Sequence, residues 1–229
     1  MNPELERHIA HIEGLTDLHL SMLKDTLLAD SGKMYLLDIL AAATVKRSMS
    51  LCSGFSSLVR AQNYVCAASL LRLQLDSCLR FFSAFIVDKP HQLAHEVLQG
   101  KPINKMKDKS GKLMTDRYLV ETLGKKYVWM PRVYKATSGF IHLSDKHIYT
   151  VLTPSDENGR VSLNVGAKDD EIPVELWIEL AAGFLASTDA LFEYLGGWKH
   201  TKTIFANDAK EAPISGSPRR AQSLLRRME

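Results

Sequence analysis

Apolar positions recur at helical spacing along most of this chain, and the strongest stretch lies near its middle. From Asn63 to Val87 the run NYVCAASLLRLQLDSCLRFFSAFIV is apolar on nearly every side, the pattern of a helix buried inside a domain. Before it, Leu5, Ile9 and Ile12, then Leu20, Leu23, Leu27 and Leu28, predict a helical segment over 1–33. Asn2-Pro3-Glu4 opens that segment as cap, first-turn proline and first-turn acid; Gly14 is read as an interruption, with Thr16 capping the continuation. Residues 34–61 predict a second long helix whose small residues, such as Ala41, Ser48, Gly54 and Ser56, admit close approach of a neighbour. The short break at Asn63 makes it the antiparallel neighbour of the central helix. Downstream the period predicts a short amphipathic segment over 91–99, helices from Thr115 to Lys126 and from Pro131 to about Lys146, and a long last helix from Pro173 to Leu195 closed by Gly196-Gly197. Over 148–165 the period changes: Val161, Leu163 and Val165 alternate with Ser162 and Asn164, which predicts a β-hairpin turning at Asn158-Gly159. The predicted fold is mainly α, an antiparallel helical bundle with a small β-hairpin before the last long helix. It divides into an N-terminal helical segment (1–33), a bundle core (34–197) and a flexible basic tail (198–229).

Composition adds limits. The hydrophobic share of 45% and charged share of 24% over 229 residues are those of a globular chain with one sizeable core. A net charge of +3 permits nucleic-acid contact without demanding it. Cys52, Cys66 and Cys78 form no paired motif and read as reduced thiols, and His8 and His11 lack further ligands, so no metal site is expected. The opening MNPELERHIAHIE has no apolar signal core, and Asp76, Glu179 and Asp189 break the longest apolar runs, so the expectation is a soluble cytoplasmic protein without a membrane span. No P-loop, GxGxxG, GxSxG or HExxH motif occurs, and no cofactor is expected. Positive charge gathers in residues 101–114, with five lysines against one aspartate, and in the tail at Arg219, Arg220, Arg226 and Arg227. The loop is read as solvated and mobile, with phosphate contact as the alternative; the tail is read as disordered, with docking on a protein partner as the alternative.

Two polar stripes carry the candidate chemistry. Arg72, Asp76 and Arg80 stand at four-residue spacing, one face of the central helix, where charge must pair or line a site. Tyr134, Ser138 and His142 repeat that spacing, with Lys135 bordering the face and Asp145 able to orient the imidazole. Either the stripes satisfy one another across a helix interface, or they wall a cleft in which Arg72 and Arg80 hold an anion and His142 exchanges a proton. Ser138 activated by His142 is a third option, without an oxyanion-hole glycine turn beside it.

These residues resemble the HEPN-like superfamily, and a group of uncharacterised bacterial helical proteins related to it. The pieces that carry the resemblance are Leu70-Leu71-Arg72 through Arg80 and Tyr134 through His142, within residues 35–195. It implies a four- to five-helix bundle, often a homodimer, often in toxin–antitoxin or phage-defence settings, and in many members a metal-independent ribonuclease. His142 would then act on the ribose hydroxyl or leaving oxygen, with Arg72, Arg80 or Lys135 supplying the cation. The family's arginine, separated from the histidine by four to six intervening residues, is absent, since nine residues separate Arg132 from His142. The function expected is thus an RNA-cleaving toxin or defence effector, with a non-catalytic dimerisation or sensor module, binding a protein or nucleic acid, as the alternative.

Overall fold

The computed structural model describes residues 1–153, 162–169 and 171–211. Four long helices form its body: α1 (Pro3–Leu28), α2 (Leu36–Arg60), α3 (Tyr64–Phe82) and α8 (Val174–Glu211). They pack in a closed cycle, α1 on α2, α2 on α3, α3 on α8 and α8 on α1. The chain is therefore mainly helical, an all-α bundle as the periodicity predicts. Four short helices complete it: α4 (Pro90–Leu98), α5 (Asp116–Leu123), α6 (Met130–Ser138) and α7 (Asp145–Val151). Of these, α5 and α6 pack on α3 and on each other.

Local chemistry places the ends of these helices. The Asn2 side chain accepts from the N–H groups of Glu4 (2.8 Å) and Leu5 (3.4 Å), with Pro3 at the first helical position. Asn63 caps α3 through Cys66 N–H (3.0 Å), and Asp169 reaches back to the free N–H groups of Tyr64 (2.7 Å) and Val65 (3.2 Å). α2 and α3 run antiparallel: Arg47 meets Asp76, Ser48 meets Gln74, and Gly54 faces Leu70. A Cβ at Gly54 would lie 3.1 Å from the Leu70 methyl, which is why a small residue stands there. In the core Phe55 and Phe184 stack with ring centroids 4.2 Å apart, and Leu71, Leu75 and Cys78 are buried behind them.

Several expectations are corrected. α1 runs unbroken through Gly14, and it belongs to the same core as the rest: Leu5, Ile9, Ile12 and Leu15 are buried with the α2, α3 and α8 side chains. α8 does not stop at Gly196-Gly197 but continues to Glu211, because a Cβ at position 197 would come 3.3 Å from the Phe85 ring; the glycine admits a neighbour rather than ending the helix. Of the predicted tail, residues 198–211 are thus helical, and 212–229 lie outside the described residues. The helix predicted over 131–146 is two helices, since α6 ends at Ser138 and the chain turns at Gly139. There the Ser144 hydroxyl donates to Gly139 C=O (2.8 Å) and caps α7, while His147 Nδ1 accepts from Ser144 N–H (3.3 Å). The hairpin predicted over 148–165 is not confirmed: its first arm is helical to Val151, and among the described residues Leu152 faces Leu163, Thr153 faces Ser162 and Asn164 N–H donates to Val151 C=O (2.8 Å). Its Asn158-Gly159 turn lies outside the described residues. Among the described residues no helix is long and apolar enough to cross a membrane.

Candidate functional site

The charged face of α3 meets α2 on one side and the α5–α6 pair on the other. Asp76 does not pair with Arg72. One of its oxygens accepts from Arg80 Nε (3.0 Å), one turn on, and the other from Arg47 Nη1 (3.1 Å) on α2. Arg72 turns instead to α5 and α6. Its Nη2 lies 3.2 Å from Asp116 Oδ2 and donates to the Tyr134 hydroxyl, while the guanidinium carbon stands 3.9 Å from the centre of the Tyr134 ring. Arg80 Nη2 donates to the other Asp116 oxygen, and the Tyr134 hydroxyl donates to Asp116 Oδ2 (3.1 Å). Asp116 is thus the hub: one carboxylate at the first position of α5 holds both arginines and the phenol.

This geometry fixes the electrostatics. Burial alone would raise the Asp116 carboxyl, but the Arg80 and Tyr134 hydrogen bonds and the nearby Arg72 charge hold it below the usual carboxylate range. Burial raises the Tyr134 phenol, with the Asp116 charge adding and Arg72 opposing, so it stays a protonated donor at neutral pH. Three guanidinium groups (Arg47, Arg72, Arg80) face two carboxylates (Asp76, Asp116) in the cluster. Arg80 Nη1 is buried without a partner among the described residues.

The predicted stripes are joined only in part. Arg72, Asp76, Arg80 and Tyr134 come together. Ser138 sits at the end of α6 and donates to the Tyr134 carbonyl (2.6 Å), a bond internal to its helix. Lys135 is exposed. His142 is exposed on the turn after α6, since the helix that would have carried it onto the stripe ends four residues earlier. Asp145 opens α7 and is exposed, and among the described residues no hydrogen bond joins it to His142. The proposed His142–Ser138–Tyr134 alignment is therefore not formed. No family model matches the chain. Nor is any curated protein or solved structure matched.

Sequence reasoning missed Asp116 and Arg47. Asp116 reads as an ordinary first-turn acid behind its Thr115 cap, and that local role is real, with Tyr118 N–H bonded to Thr115 Oγ1 (3.3 Å). Nothing local marks it as the partner of residues 36 and 44 positions earlier. Arg47 lies on α2 among small and apolar residues, where a charge facing α3 was the available cue. Chemically the cluster can hold four helices in register, and none of its members Arg47, Arg72, Asp76, Arg80, Asp116 and Tyr134 is a histidine.

Proposed function

We propose that this chain is a HEPN-like helical module without nuclease chemistry, which pairs with a second copy of itself through the segment around α7. The observation that carries the reading is where apolar surface is left uncovered. On α7, Ile148 is 57% and Tyr149 68% exposed; Leu143, just before that helix, is 91% exposed, and Leu163 and Val165, later in the chain, are 65% and 83% exposed. Scattered exposed apolar residues are ordinary, but Leu143, Ile148 and Tyr149 close together in residues 143–149 are what a contact surface presents. A modest net charge of +3 does little to oppose self-association. The charged cluster supports the non-catalytic half of the reading, since its carboxylates already engage the arginines that a cleaved phosphate would need.

The test is the molar mass of the full chain by light scattering across a concentration series, beside a Leu143→Glu/Tyr149→Glu variant. A dimer that becomes a monomer in the variant supports the reading; a wild-type monomer at every concentration overturns it. Incubation with total RNA and EDTA, beside His142→Ala, tests the other half. RNA cleavage by the parent that is lost in the variant would overturn the non-catalytic assignment.

A further inference from the structure

The lysine-rich stretch after α4 is built, not loose. Ile103, Met106 and Met114 are buried, Met114 N–H donates to Met106 C=O (2.9 Å), and Lys109 N–H donates to Ile86 C=O (3.0 Å). Asp108 is its anchor, accepting from the N–H groups of Ser110 (2.9 Å) and Lys112 (2.9 Å) and from the Tyr118 hydroxyl (2.5 Å). Burial would raise this carboxyl, but those bonds hold it at about 2. Gly111, at φ +83°, closes the turn.

This anchoring sorts the side chains by parity. Met106 and Asp108 point inward and are buried, while Lys105, Lys107 and Lys109 alternate with them and are exposed. Lys107 forms an isolated bridge with Leu113, between Lys105 at the end of a 3-10 helix and Lys109 at the start of a turn, so the three lysines stand on one fixed segment. This segment borders a groove of about 500 Å³ against α4, whose other walls carry Lys89 and Lys101, over a floor that includes Leu93 and Met114. That volume falls within the range of small-ligand sites.

Charge in the groove is not balanced internally. Its carboxylates are Asp88, Glu96 and Asp108. Asp108 is engaged as described, and Glu96 pairs with Lys101. Lys89, Lys105, Lys107 and Lys109 therefore face Asp88 alone. The occupant must be anionic, with several charges in a short length. An acidic peptide strand would need free backbone partners, yet the N–H groups of Lys105, Met106, Asp108 and Lys109 already bond Pro102, Ile103, Lys112 and Ile86. Among the described residues no aromatic side chain lines the groove, so none there stacks on a base.

We propose that the groove between α4 and residues 101–109 binds a short phosphate chain, either inorganic tripolyphosphate or the phosphate tail of a nucleoside polyphosphate. It shares no residue with the α7 surface and stands whether or not the chain dimerises. The experiment is calorimetric titration of the full chain at low salt with tripolyphosphate, ATP and a single-stranded RNA oligonucleotide. Tripolyphosphate binding that weakens with added salt supports the proposal. Equal affinity for ATP assigns recognition to the phosphates alone, and much tighter ATP binding assigns the nucleotide as the source. Lys105→Ala/Lys107→Ala/Lys109→Ala should weaken tripolyphosphate by roughly tenfold or more, with an unchanged unfolding midpoint because all three side chains are exposed. A matched control, Lys24→Ala/Lys46→Ala/Lys125→Ala, should leave binding as it was. Absence of tripolyphosphate binding, an equal loss in the control, or RNA binding that tripolyphosphate fails to displace would each overturn the proposal.

Discussion

Replacing Asp116 with alanine tests whether the arginines of α3 are structural or poised for a ligand. The substitution removes the acceptor shared by Arg80, by Arg72 (3.2 Å) and by the Tyr134 hydroxyl (3.1 Å). Stripping one partner from a fully buried ion pair costs roughly 3–5 kcal/mol. Here the Arg72 side chain is 10% exposed, but Asp116 is 35% and Arg80 23%, so water recovers part of the loss. The discounted cost is about 2–3 kcal/mol. Asp116→Asn keeps the shape and one accepting oxygen while removing the charge, and should cost about 1–2 kcal/mol. Urea unfolding at pH 7 gives both numbers. In a double-mutant cycle with Arg72→Met, the coupling to Asp116 should be on the order of 1 kcal/mol. Sulfate adds a second readout. With the carboxylate gone, Arg72 loses its counter-ion and Arg80 keeps only Asp76, so sulfate should stabilise Asp116→Ala more than the parent. A loss below about 0.5 kcal/mol, or equal sulfate stabilisation of parent and variant, would refute the assignment of Asp116 as the resident counter-ion.

Four further outcomes follow from buried groups and from the space around two glycines. Lys202 and Asp38 are both 0% exposed and 3.0 Å apart, so Lys202→Met should cost about 3–5 kcal/mol in urea unfolding, while Asp38→Leu/Lys202→Met, which buries no charge, should recover part of it. Burial lowers the pKa of His19 and of His91 below the ordinary 6.5, so their contribution to stability is full above that value and declines as pH falls through their folded pKa values; the unfolding midpoint should drop from pH 7 to pH 5, less steeply in His19→Gln. A Cβ at Gly124 would sit 2.6 Å from the Pro131 ring, so Gly124→Ala should cost roughly 1–3 kcal/mol in thermal unfolding. Gly14→Ala, with nothing within 4 Å of the added atom, should stabilise α1 by up to about 1 kcal/mol.

What the sequence revealed and what it hid follow one physical line. The 3.6-residue period reports which face of a helix is buried, and it places Arg72, Asp76 and Arg80 together on α3 correctly. It does not report where a helix stops. The Tyr134–Ser138–His142 stripe assumes an unbroken helix, whereas Gly139 turns the chain and the Ser144–His147 pair starts a new one. The opposite error occurs at Gly196-Gly197, where a helix-ending signal is overridden by packing against Phe85 and by the next turn of α8, which carries Trp198 and Lys202 onto Asp38. Trp198 Nε1 donates to Asp38 Oδ1 (2.7 Å) and Lys202 Nζ to Asp38 Oδ2 (3.0 Å) and Thr26 C=O (2.9 Å), a set of partners drawn from three distant parts of the chain. Local propensity carries no trace of such pairings. A first-turn aspartate such as Asp116 looks the same whether it serves its helix alone or two arginines elsewhere as well.

The same limit explains why the two basic features of this chain exchange roles between sequence and structure. Arg72 and Arg80, set against an apolar helix, look like the anion site, and the lysines of 101–114 look like solvated loop. Burial reverses this. A buried guanidinium must be neutralised during folding, because a bare charge in the interior costs more than the chain can sustain, so its presence there already implies a carboxylate nearby. Asp76 and Asp116 are those carboxylates. Exposed lysines carry no such obligation, since water stabilises them unpaired. Lys105, Lys107 and Lys109 accordingly hold their charge free on a ridge that Asp108 and Met106 pin from below. Free charge on a fixed scaffold is available to a ligand, whereas paired charge in a helix interface is not, so the lysines, not the arginines, are placed to meet an anion.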